Sequence, residues 1–237
     1  MRTVAVVLAA GSGVRFGSAS PKQLRQLAGR NLIEHCAQAF DSAPGVDQVL
    51  VVTTAGLEEQ VRRELAGVAK VAAVIQGGES RADSTRQALG WLAGAAPADA
   101  KVLFHDAARP LVDQRIIADC VAALDRWQAF SVVVPSSDTI VEVGDGAIQR
   151  VLPRHELARC QTPQGFRLSV ISRAYQCAAA DPGFVTMPAT DDCGVVLRYL
   201  PEVTIGAVTG SERNLKITYA EDLAIARALI DPATHAG

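Results

Sequence analysis

The segment Val4–Gln23, VAVVLAAGSGVRFGSASPKQ, joins an apolar run to a glycine-rich loop near the first residue of the chain. The run VAVVL has the β-branched composition of a buried strand, and the glycines that follow it permit close backbone approach to a ligand. Arg15 and Lys22 add two positive charges, and no acidic residue accompanies them. Because ligands of open α/β sheets bind at the carboxyl ends of the strands, the segment predicts an anion-binding loop after a first strand.

Strand-like runs and helical periods alternate along the rest of the chain, which predicts an α/β fold: a doubly wound, mostly parallel sheet with helices on both faces. Besides Val4–Leu8, the predicted strands are Gln48–Thr53, Val71–Ile75, Lys101–His105, Phe130–Pro135 and Asn214–Thr218. The predicted helices are one with an apolar face from Leu32 to Phe40, then Glu58–Leu65, Ser80 (as N-cap) to about Leu92, Arg115–Trp127, Ser169–Ala180, Thr190–Leu197 (with Thr190 as N-cap) and Ala220–Ile230.

The alternation stops after Pro135. Two short apolar pieces, Ile140–Val143 and Ile148–Val151, flank the turn sequence GDG at Gly144–Gly146, which predicts a β-hairpin. A hairpin that leaves a parallel sheet should project from it, so we expect a projecting β-arm over about residues 137–157 on a single domain of residues 1–237.

Composition excludes several classes of protein. The chain has 237 residues, of which 49% are hydrophobic and 20% charged, and a net charge of −2, which is unlike the basic surplus of nucleic-acid binders. No apolar run is long enough to span a bilayer, and the N-terminal run is too short for a signal peptide. The five cysteines are odd in number and never in CxxC spacing. This argues for a reducing cytoplasm and against a zinc site or disulfide framework.

The glycine loop can be compared with three known phosphate-binding loops. Its spacing is GxGxxxG rather than the GxGxxG of dinucleotide-binding folds, which argues against a dinucleotide-dependent oxidoreductase. A P-loop requires GK followed by Ser or Thr, and the sequence contains no such triplet. The remaining pattern, LAAGxGxRxG followed by PKQ, resembles that of sugar-nucleotide pyrophosphorylases and cytidylyltransferases. The alternative is a glycine turn with two solvated cations.

Five further motifs follow the loop: GGESRADS (Gly77–Ser84), HDAARP (His105–Pro110), QTPQGF (Gln161–Phe166), TDD (Thr190–Asp192) and NLKIT (Asn214–Thr218). Each motif alone is modest, and HDAARP alone would be interpreted as a local ion pair between Asp106 and Arg109. Taken together, in order and spacing over nearly the whole chain, the six motifs resemble the 2-C-methyl-D-erythritol 4-phosphate and ribitol-5-phosphate cytidylyltransferases. The resemblance implies a Rossmann-like nucleotidyltransferase fold.

The resemblance also implies a reaction and the residues that perform it. A phosphate oxygen of the acceptor attacks the α-phosphorus of CTP and pyrophosphate leaves, without a covalent intermediate. The residues matching the family's catalytic cations are Arg15, Lys22 and Lys216. The residues matching its CTP-binding positions are Ala9, Ala10, Gly11, Gly13, Gly78, Glu79, Ser84 and Asp106. The residues matching its acceptor-binding positions are Arg109, Thr139, Arg154, Thr162 and Thr190.

Further expectations follow from the same resemblance. Mg²⁺ or another divalent cation would be held mainly by the triphosphate rather than by a protein metal site. The chain would form a homodimer in which the arm, with Thr139 and Arg154, reaches the acceptor site of the second subunit. His105 and His155 are not assigned acid–base roles, since the acceptor phosphate is already an anion. His105 is expected to pack or to orient its loop.

The acceptor stays open at this point. Val141 stands where many methylerythritol enzymes have lysine, and TDDCGVVLRYLP is closer to the ribitol-phosphate group. Methylerythritol phosphate is the commoner substrate and is taken as the first hypothesis, with ribitol 5-phosphate as the alternative. A nucleotide-binding module without catalysis is a remote alternative, which the presence of all three predicted cations argues against.

Overall fold

The computed structural model describes residues 1–11, 22–187 and 189–230. In chain order its strands are β1 (Thr3–Ala9), β2 (Gln26–Leu27), β3 (Arg30–Asn31), β4 (Gln48–Thr53), β5 (Val71–Gln76), β6 (Lys101–Asp106), β7 (Ala129–Pro135), β8 (Val141–Gly144), β9 (Ala147–Val151), β10 (Ala158–Arg167) and β11 (Ile205–Thr209). Its helices are α1 (Leu32–Asp41), α2 (Glu58–Glu64), α3 (Arg81–Ala95), α4 (Gln114–Arg126), α5 (Leu168–Ala180), α6 (Gly183–Thr186), α7 (Asp192–Tyr199) and α8 (Ala220–Ile230).

A seven-stranded sheet in the order β11-β7-β10-β6-β1-β4-β5 forms the centre of the fold. Neighbouring strands are parallel except at β10, which is antiparallel to both β6 and β7. The predicted mostly parallel α/β fold is therefore confirmed. The carboxyl ends of the parallel strands and the amino end of β10 share one edge of the sheet, which we call the carboxyl edge.

Helices cover both faces of the sheet, as the alternating pattern predicts. On one face Val7 of β1 packs with the buried residues of α1 and α4, including Cys36 and Cys120. On the other face Val6 packs with buried residues of α3, α5 and α7. Successive side chains of a strand point to opposite faces, so a strand that is apolar at every position is buried on both sides.

The structure contains an additional strand, β10, where the sequence predicts no strand, only the motif QTPQGF. Its polar residues, its proline and its glycine are atypical of a central strand. The pairing of β10 with β7 shifts register between Gln161 and Gln164, and Pro163, which has no N–H to donate, lies at that irregularity. At Gly165 a Cβ atom would lie 2.1 Å from the Phe130 ring, so a side chain is excluded there. Tertiary packing thus overrides the local propensity of this segment.

The predicted strand Asn214–Thr218 is wrong, because these residues form no strand in the structure. The last strand of the sheet is β11, which pairs in parallel with β7. Its glycine, Gly206, lies so close to Trp127 that a Cβ would be 2.5 Å from the indole ring. The segment 214–218 is anchored by other bonds, among them Ile217 N to Ala108 O at 2.8 Å.

One predicted helix cap also differs. Thr190 was expected to cap the helix that follows it, but Asp191 is the N-cap of α7 and accepts a hydrogen bond from Gly194 N at 2.7 Å. Both residue types are favoured at this position, so spacing alone does not separate them. The N-cap Ser80 of α3 is confirmed, with a capping box formed by Asp83.

The predicted hairpin is present as β8 and β9, which form their own two-stranded sheet. Leu152 N donates to Ile140 O at 2.8 Å and closes its base. Three apolar side chains on the hairpin are more than 60% exposed: Val143, Ile148 and Val151. Among the residues that the structure describes, no helix is both long and apolar enough to cross a membrane.

Candidate active site

Most of the predicted site motifs lie at the carboxyl edge of the sheet. Ala9 ends β1 and is followed by Ala10 and Gly11, residues 77–80 follow β5, and Asp106 ends β6. The hairpin leaves the same edge, because it connects the carboxyl end of β7 to the amino end of β10. Separate parts of the sequence are therefore gathered at the position where open α/β sheets bind ligands.

Close packing joins the ends of β1 and β5. A Cβ atom on Gly77 would lie 2.4 Å from the Cβ of Ala10, so only glycine allows the two segments to approach this closely. A Cβ on Gly78 would lie 2.2 Å from the Cβ of Asp83. The contact of Gly77 with Ala10 brings the loop after β5 against the loop after β1, and both loops carry predicted CTP-binding residues.

The N-terminus of α3 faces this loop. Ser84, which is buried, accepts a hydrogen bond from Gly78 N at 3.2 Å and donates one to Ser80 O at 3.0 Å. The hydroxyl of Ser84 therefore holds the Gly78 loop in place. Glu79 is exposed. Free N–H groups at a helix start and in an adjacent loop are suited to oxygen-rich ligands.

Asp106 lies between two cations from distant parts of the sequence. Lys216 Nζ is 2.7 Å from its Oδ2, and Arg81 Nε is 3.4 Å from its Oδ1. Burial by itself raises the pKa of Asp106, but Arg81, Lys216 and Arg109 together hold that pKa well below its ordinary value. Asp106 is therefore a carboxylate at neutral pH. The ammonium of Lys216 is partly exposed and faces the carboxyl edge from the far end of the sequence.

A buried hydrogen-bond network lies beneath Asp106. Thr162 Oγ1 accepts a hydrogen bond from Asp106 N at 3.1 Å and also lies 3.1 Å from His105 Nδ1. The other ring nitrogen of His105, Nε2, lies 3.0 Å from Arg109 O. The carbonyl can only accept, so Nε2 carries the proton and Nδ1 accepts from the Thr162 hydroxyl. Burial lowers the pKa of His105 to about 4, which keeps the ring neutral. His105 thus packs and orients this loop.

Arg109 is attached to the segment that carries Lys216. Its Nη1 donates to Asn214 O at 2.8 Å and its Nη2 to Cys160 O at 3.4 Å. Asn214, which is fully buried, donates from Nδ2 to Thr162 O at 2.8 Å. Burial lowers the pKa of Arg109, while Asp106 opposes that effect. These bonds bring three predicted site residues, Arg109, Thr162 and Lys216, into one connected group with Asp106.

Arg81 and Asp192 belong to the same group but are not among the predicted site residues. Arg81 Nη1 is 2.7 Å from Asp192 Oδ2, and the Asp192 side chain is fully buried. Both residues lie inside quoted motifs, GGESRADS and TDD. In the sequence the signal is a cation in one motif and two acidic residues in the other, and only the fold shows which of them pair.

The remaining predicted acceptor residues lie outside this group. Thr139 is exposed between β7 and β8, and Arg154 is exposed in a 3₁₀ turn after β9. Arg154 donates to Ser137 O at 3.1 Å, so these residues lie on the two sides of the hairpin base. Thr190 is exposed just before α7. No bond connects these three to Asp106 within the described part of this single chain.

Three of the predicted site residues lie wholly or partly outside the described part of the chain. Gly13 and Arg15 lie outside the described residues, as does the side chain of Lys22, whose backbone begins a 3₁₀ turn over Lys22–Leu24. Their assigned roles stay predictions.

The fold and the chemistry of the carboxyl edge define an α/β protein suited to binding a phosphorylated nucleotide. Comparison with known families narrows this class. The family model described as IspD, 2-C-methyl-D-erythritol 4-phosphate cytidylyltransferase, matches residues 3–232. The chain therefore belongs to this family of cytidylyltransferases.

Similar proteins agree with this assignment. A 2-C-methyl-D-erythritol 4-phosphate cytidylyltransferase of Thermobifida fusca is 49% identical over 97% of this chain and 93% of its own length. The crystal structure of the Thermus thermophilus enzyme of the same description is 30% identical with a TM-score of 0.75, covering 95% of this chain and 97% of that one. A 4-diphosphocytidyl-2C-methyl-D-erythritol synthase from Anaerococcus prevotii, at 24% identity and a TM-score of 0.83 over 97% and 98% of the two chains, supports the fold.

A relative with a different description also matches. The bifunctional ribulose 5-phosphate reductase/CDP-ribitol pyrophosphorylase Bcs1 of Haemophilus influenzae is 34% identical over 99% of this chain and 49% of its own length. Relatives from both groups that the motifs resemble therefore match this chain over nearly its whole length.

Proposed function

We propose that this chain transfers CMP from CTP to 2-C-methyl-D-erythritol 4-phosphate and releases pyrophosphate, in the non-mevalonate route to isoprenoids. The proposal rests on one observation above all: hydrogen bonds connect residues of three separate family motifs at the carboxyl edge. These residues are Asp106, Arg109, Thr162 and Lys216. The family match and the 49% identity to the Thermobifida enzyme support the same reaction.

The reaction has a simple balance of bonds. An oxygen of the acceptor phosphate forms a bond to the α-phosphorus of CTP, and the bond from that phosphorus to the bridging oxygen of pyrophosphate breaks. Negative charge grows on the α-phosphoryl and leaving oxygens, so positioning and cations carry most of the catalysis. Arg15, Lys22 and Lys216 are the cations assigned to this charge.

A general base is not needed, because the acceptor phosphate is an anion at neutral pH. The histidine of the HDAARP motif supports this view. Both ring nitrogens of His105 are engaged with Thr162 and Arg109, and the side chain is completely buried. His105 therefore positions the HDAARP loop and takes no proton from substrate.

CTP would lie along the loop Ala9–Gly11 with Gly13, and against Gly78, Glu79 and Ser84. The close contact of Gly77 with Ala10 supports a shared pocket for these residues. Polar backbone edges in such a pocket discriminate bases, since a wrong base leaves them unpaired. Asp106 would lie at the junction of the nucleotide and the acceptor.

Mg²⁺ bound to the triphosphate would neutralise charge and orient the leaving pyrophosphate. Both carboxylate oxygens of Asp106 already accept from Lys216 and Arg81. In the part of the chain that the structure describes, no group of three or more His, Cys, Asp or Glu side chains forms a metal site.

The acceptor would be held in part by the arm of a second subunit. An isolated two-stranded hairpin is marginally stable in water, and exposed Val143, Ile148 and Val151 give this one an apolar surface for a second copy to cover. Thr139 and Arg154 at its base would grip the acceptor, with the Arg154 guanidinium binding two phosphate oxygens. Arg109, Thr162 and Thr190 would face the acceptor from the first subunit. The proposed state is a homodimer with shared sites, and its proposed location is the cytoplasm.

Mixing two inactive variants tests the shared site. In a homodimer of Arg154→Ala and Lys216→Met subunits, one of the two sites keeps both wild-type residues. Equal mixing after dissociation should restore about a quarter of wild-type activity, because half of the dimers are mixed. If both residues of a site come from one subunit, mixing restores no activity.

The ribitol-phosphate alternative is kept because of the full-length match to the Haemophilus protein and because Val141 stands at the arm position noted above. Pyrophosphate release from CTP and Mg²⁺ should be compared with 2-C-methyl-D-erythritol 4-phosphate and D-ribitol 5-phosphate in parallel. Preference for the first supports the proposal, and preference for the second replaces the acceptor while keeping the chemistry. CTP binding without release of pyrophosphate with either acceptor would contradict the proposal and favour a binding module.

A further inference from the structure

Arg81 occupies a fixed position between two carboxylates on different elements. It is the first residue of α3, directly after the N-cap Ser80, whose capping box Asp83 completes. Its Nη1 is 2.7 Å from Asp192 Oδ2, and its Nε is 3.4 Å from Asp106 Oδ1. A planar guanidinium has several donors in fixed directions, so it can hold two carboxylates at once where an ammonium is a single point of charge.

The Asp192 end of this arrangement is rigid. Asp192 begins α7, its side chain is fully buried, and its Oδ1 accepts from Thr85 Oγ1 at 2.9 Å and from Tyr175 OH at 2.7 Å. Burial and Asp192 raise the pKa of Tyr175, so its hydroxyl stays a donor. Burial lowers the pKa of Arg81, but Asp192 and Asp106 raise it further, so Arg81 stays charged.

The other end of the arrangement is open to solvent. Asp106 binds Arg81 through Oδ1 and Lys216 through Oδ2, and the Lys216 side chain is 41% exposed. Charges therefore alternate from Asp192 through Arg81 and Asp106 to Lys216. Arg81 partly neutralises the negative charge of Asp106. The carboxylate therefore attracts Lys216 less strongly than it would without Arg81.

We propose that Arg81, held by Asp192, is a positioning residue: it fixes Asp106 and partly neutralises its charge. Lys216 can then turn from Asp106 to the phosphates of the bound nucleotide. This inference rests on the proposed function for the identity of that nucleotide. A purely structural ion pair would instead affect the stability of the fold and leave nucleotide affinity unchanged.

The first test measures CTP affinity of the full-length chain by titration calorimetry with Mg²⁺ and no acceptor. Arg81→Gln removes the charge and should weaken CTP binding by about 10-fold to 100-fold, the scale of losing a hydrogen bond to a charged group. Arg81→Lys should recover part of the loss. Arg198→Gln is the control, since it breaks another arginine–aspartate pair of the same 2.7 Å length, with Asp181, although that aspartate is one-third exposed while Asp192 is fully buried.

The control should bind CTP as the wild type does. Wild-type affinity in a folded Arg81→Gln chain would overturn the inference. If that variant does not fold, Arg81→Lys and Asp192→Asn take its place, and both are expected to weaken binding. Thermal unfolding of every variant shows which ones are folded.

The second test asks whether Arg81 acts through Asp106. The double variant Arg81→Gln, Asp106→Asn should bind CTP no more weakly than the weaker single variant, because both changes interrupt the same arrangement. Additive losses would show that the two residues act separately and would overturn the inference. Loss of acceptor transfer with CTP binding intact contradicts only the proposed reaction. A wild-type chain that does not bind CTP contradicts both.

Discussion

The neutral, buried His105 makes a specific prediction for stability against pH. Its side chain is fully buried against Phe40, with ring centroids 5.3 Å apart, and burial lowers its pKa from 6.5 to about 4. Below pH 6.5 the unfolded chain takes up a proton that the folded chain does not. Acidification therefore favours unfolding between pH 6.5 and about 4, and the effect ends once the folded state is also protonated.

The size of the effect follows from the difference between the two pKa values. It corresponds to about 3 kcal/mol in the free energy of unfolding when pH 4 is compared with pH 7. The assay is urea unfolding at several pH values in this window, for the wild type and for His105→Gln. The variant is less stable at pH 7 because it loses ring packing, but its stability should fall about 2–3 kcal/mol less on acidification.

Comparing the two chains cancels the titration of the other groups, which both share. If His105→Gln loses as much stability on acidification as the wild type, the ring is not buried in a neutral form, and the proton assignment at Thr162 is wrong.

Three further predictions concern catalysis, the nucleotide loop and the sheet. Lys216→Met should lower kcat about 100-fold to 1000-fold in steady-state assays, the scale of losing one donor to a transition-state oxyanion, and normal turnover would contradict its role. Gly77→Ala should weaken CTP binding in calorimetry, because its Cβ would lie 2.4 Å from the Cβ of Ala10 and push the two loops apart. Unchanged affinity would show that this loop is not part of the nucleotide site. Gly165→Ala should lower the free energy of unfolding in urea by about 1–3 kcal/mol, since its Cβ would lie 2.1 Å from the Phe130 ring. An unchanged free energy of unfolding would contradict the central position of β10.

Much of the fold could be predicted because its strands and helices carry strong periodic patterns. The strand Gln48–Thr53 and the helix Ala220–Ile230 have the predicted bounds. The long strand β10 was missed because its pattern is polar and includes Pro163 and Gly165, which only its neighbours in the sheet make suitable. The opposite error occurred at Asn214–Thr218, where the alternating apolar residues Leu215 and Ile217 pack in a small cluster with Leu27 and Leu32 and form no strand.

The site was predictable in its motifs but not in its connections. The structure brings Asp106, Lys216, Arg109 and Thr162 into one hydrogen-bonded group, although they come from three distant motifs and were assigned by resemblance. Arg81 and Asp192 were overlooked, since their pairing at 2.7 Å joins residues 111 positions apart. Which charged residues meet is decided by strand order, and local sequence patterns carry no information about it.

The measurement that tests the central claim most directly follows the α-phosphorus of CTP. The chain is incubated with CTP labelled at that atom, Mg²⁺ and 2-C-methyl-D-erythritol 4-phosphate, and the products are separated. The account predicts that the label appears in 4-diphosphocytidyl-2-C-methylerythritol while unlabelled pyrophosphate is released in equal amount. Label that stays in CTP, or appears in free CMP without transfer to the acceptor, would contradict it.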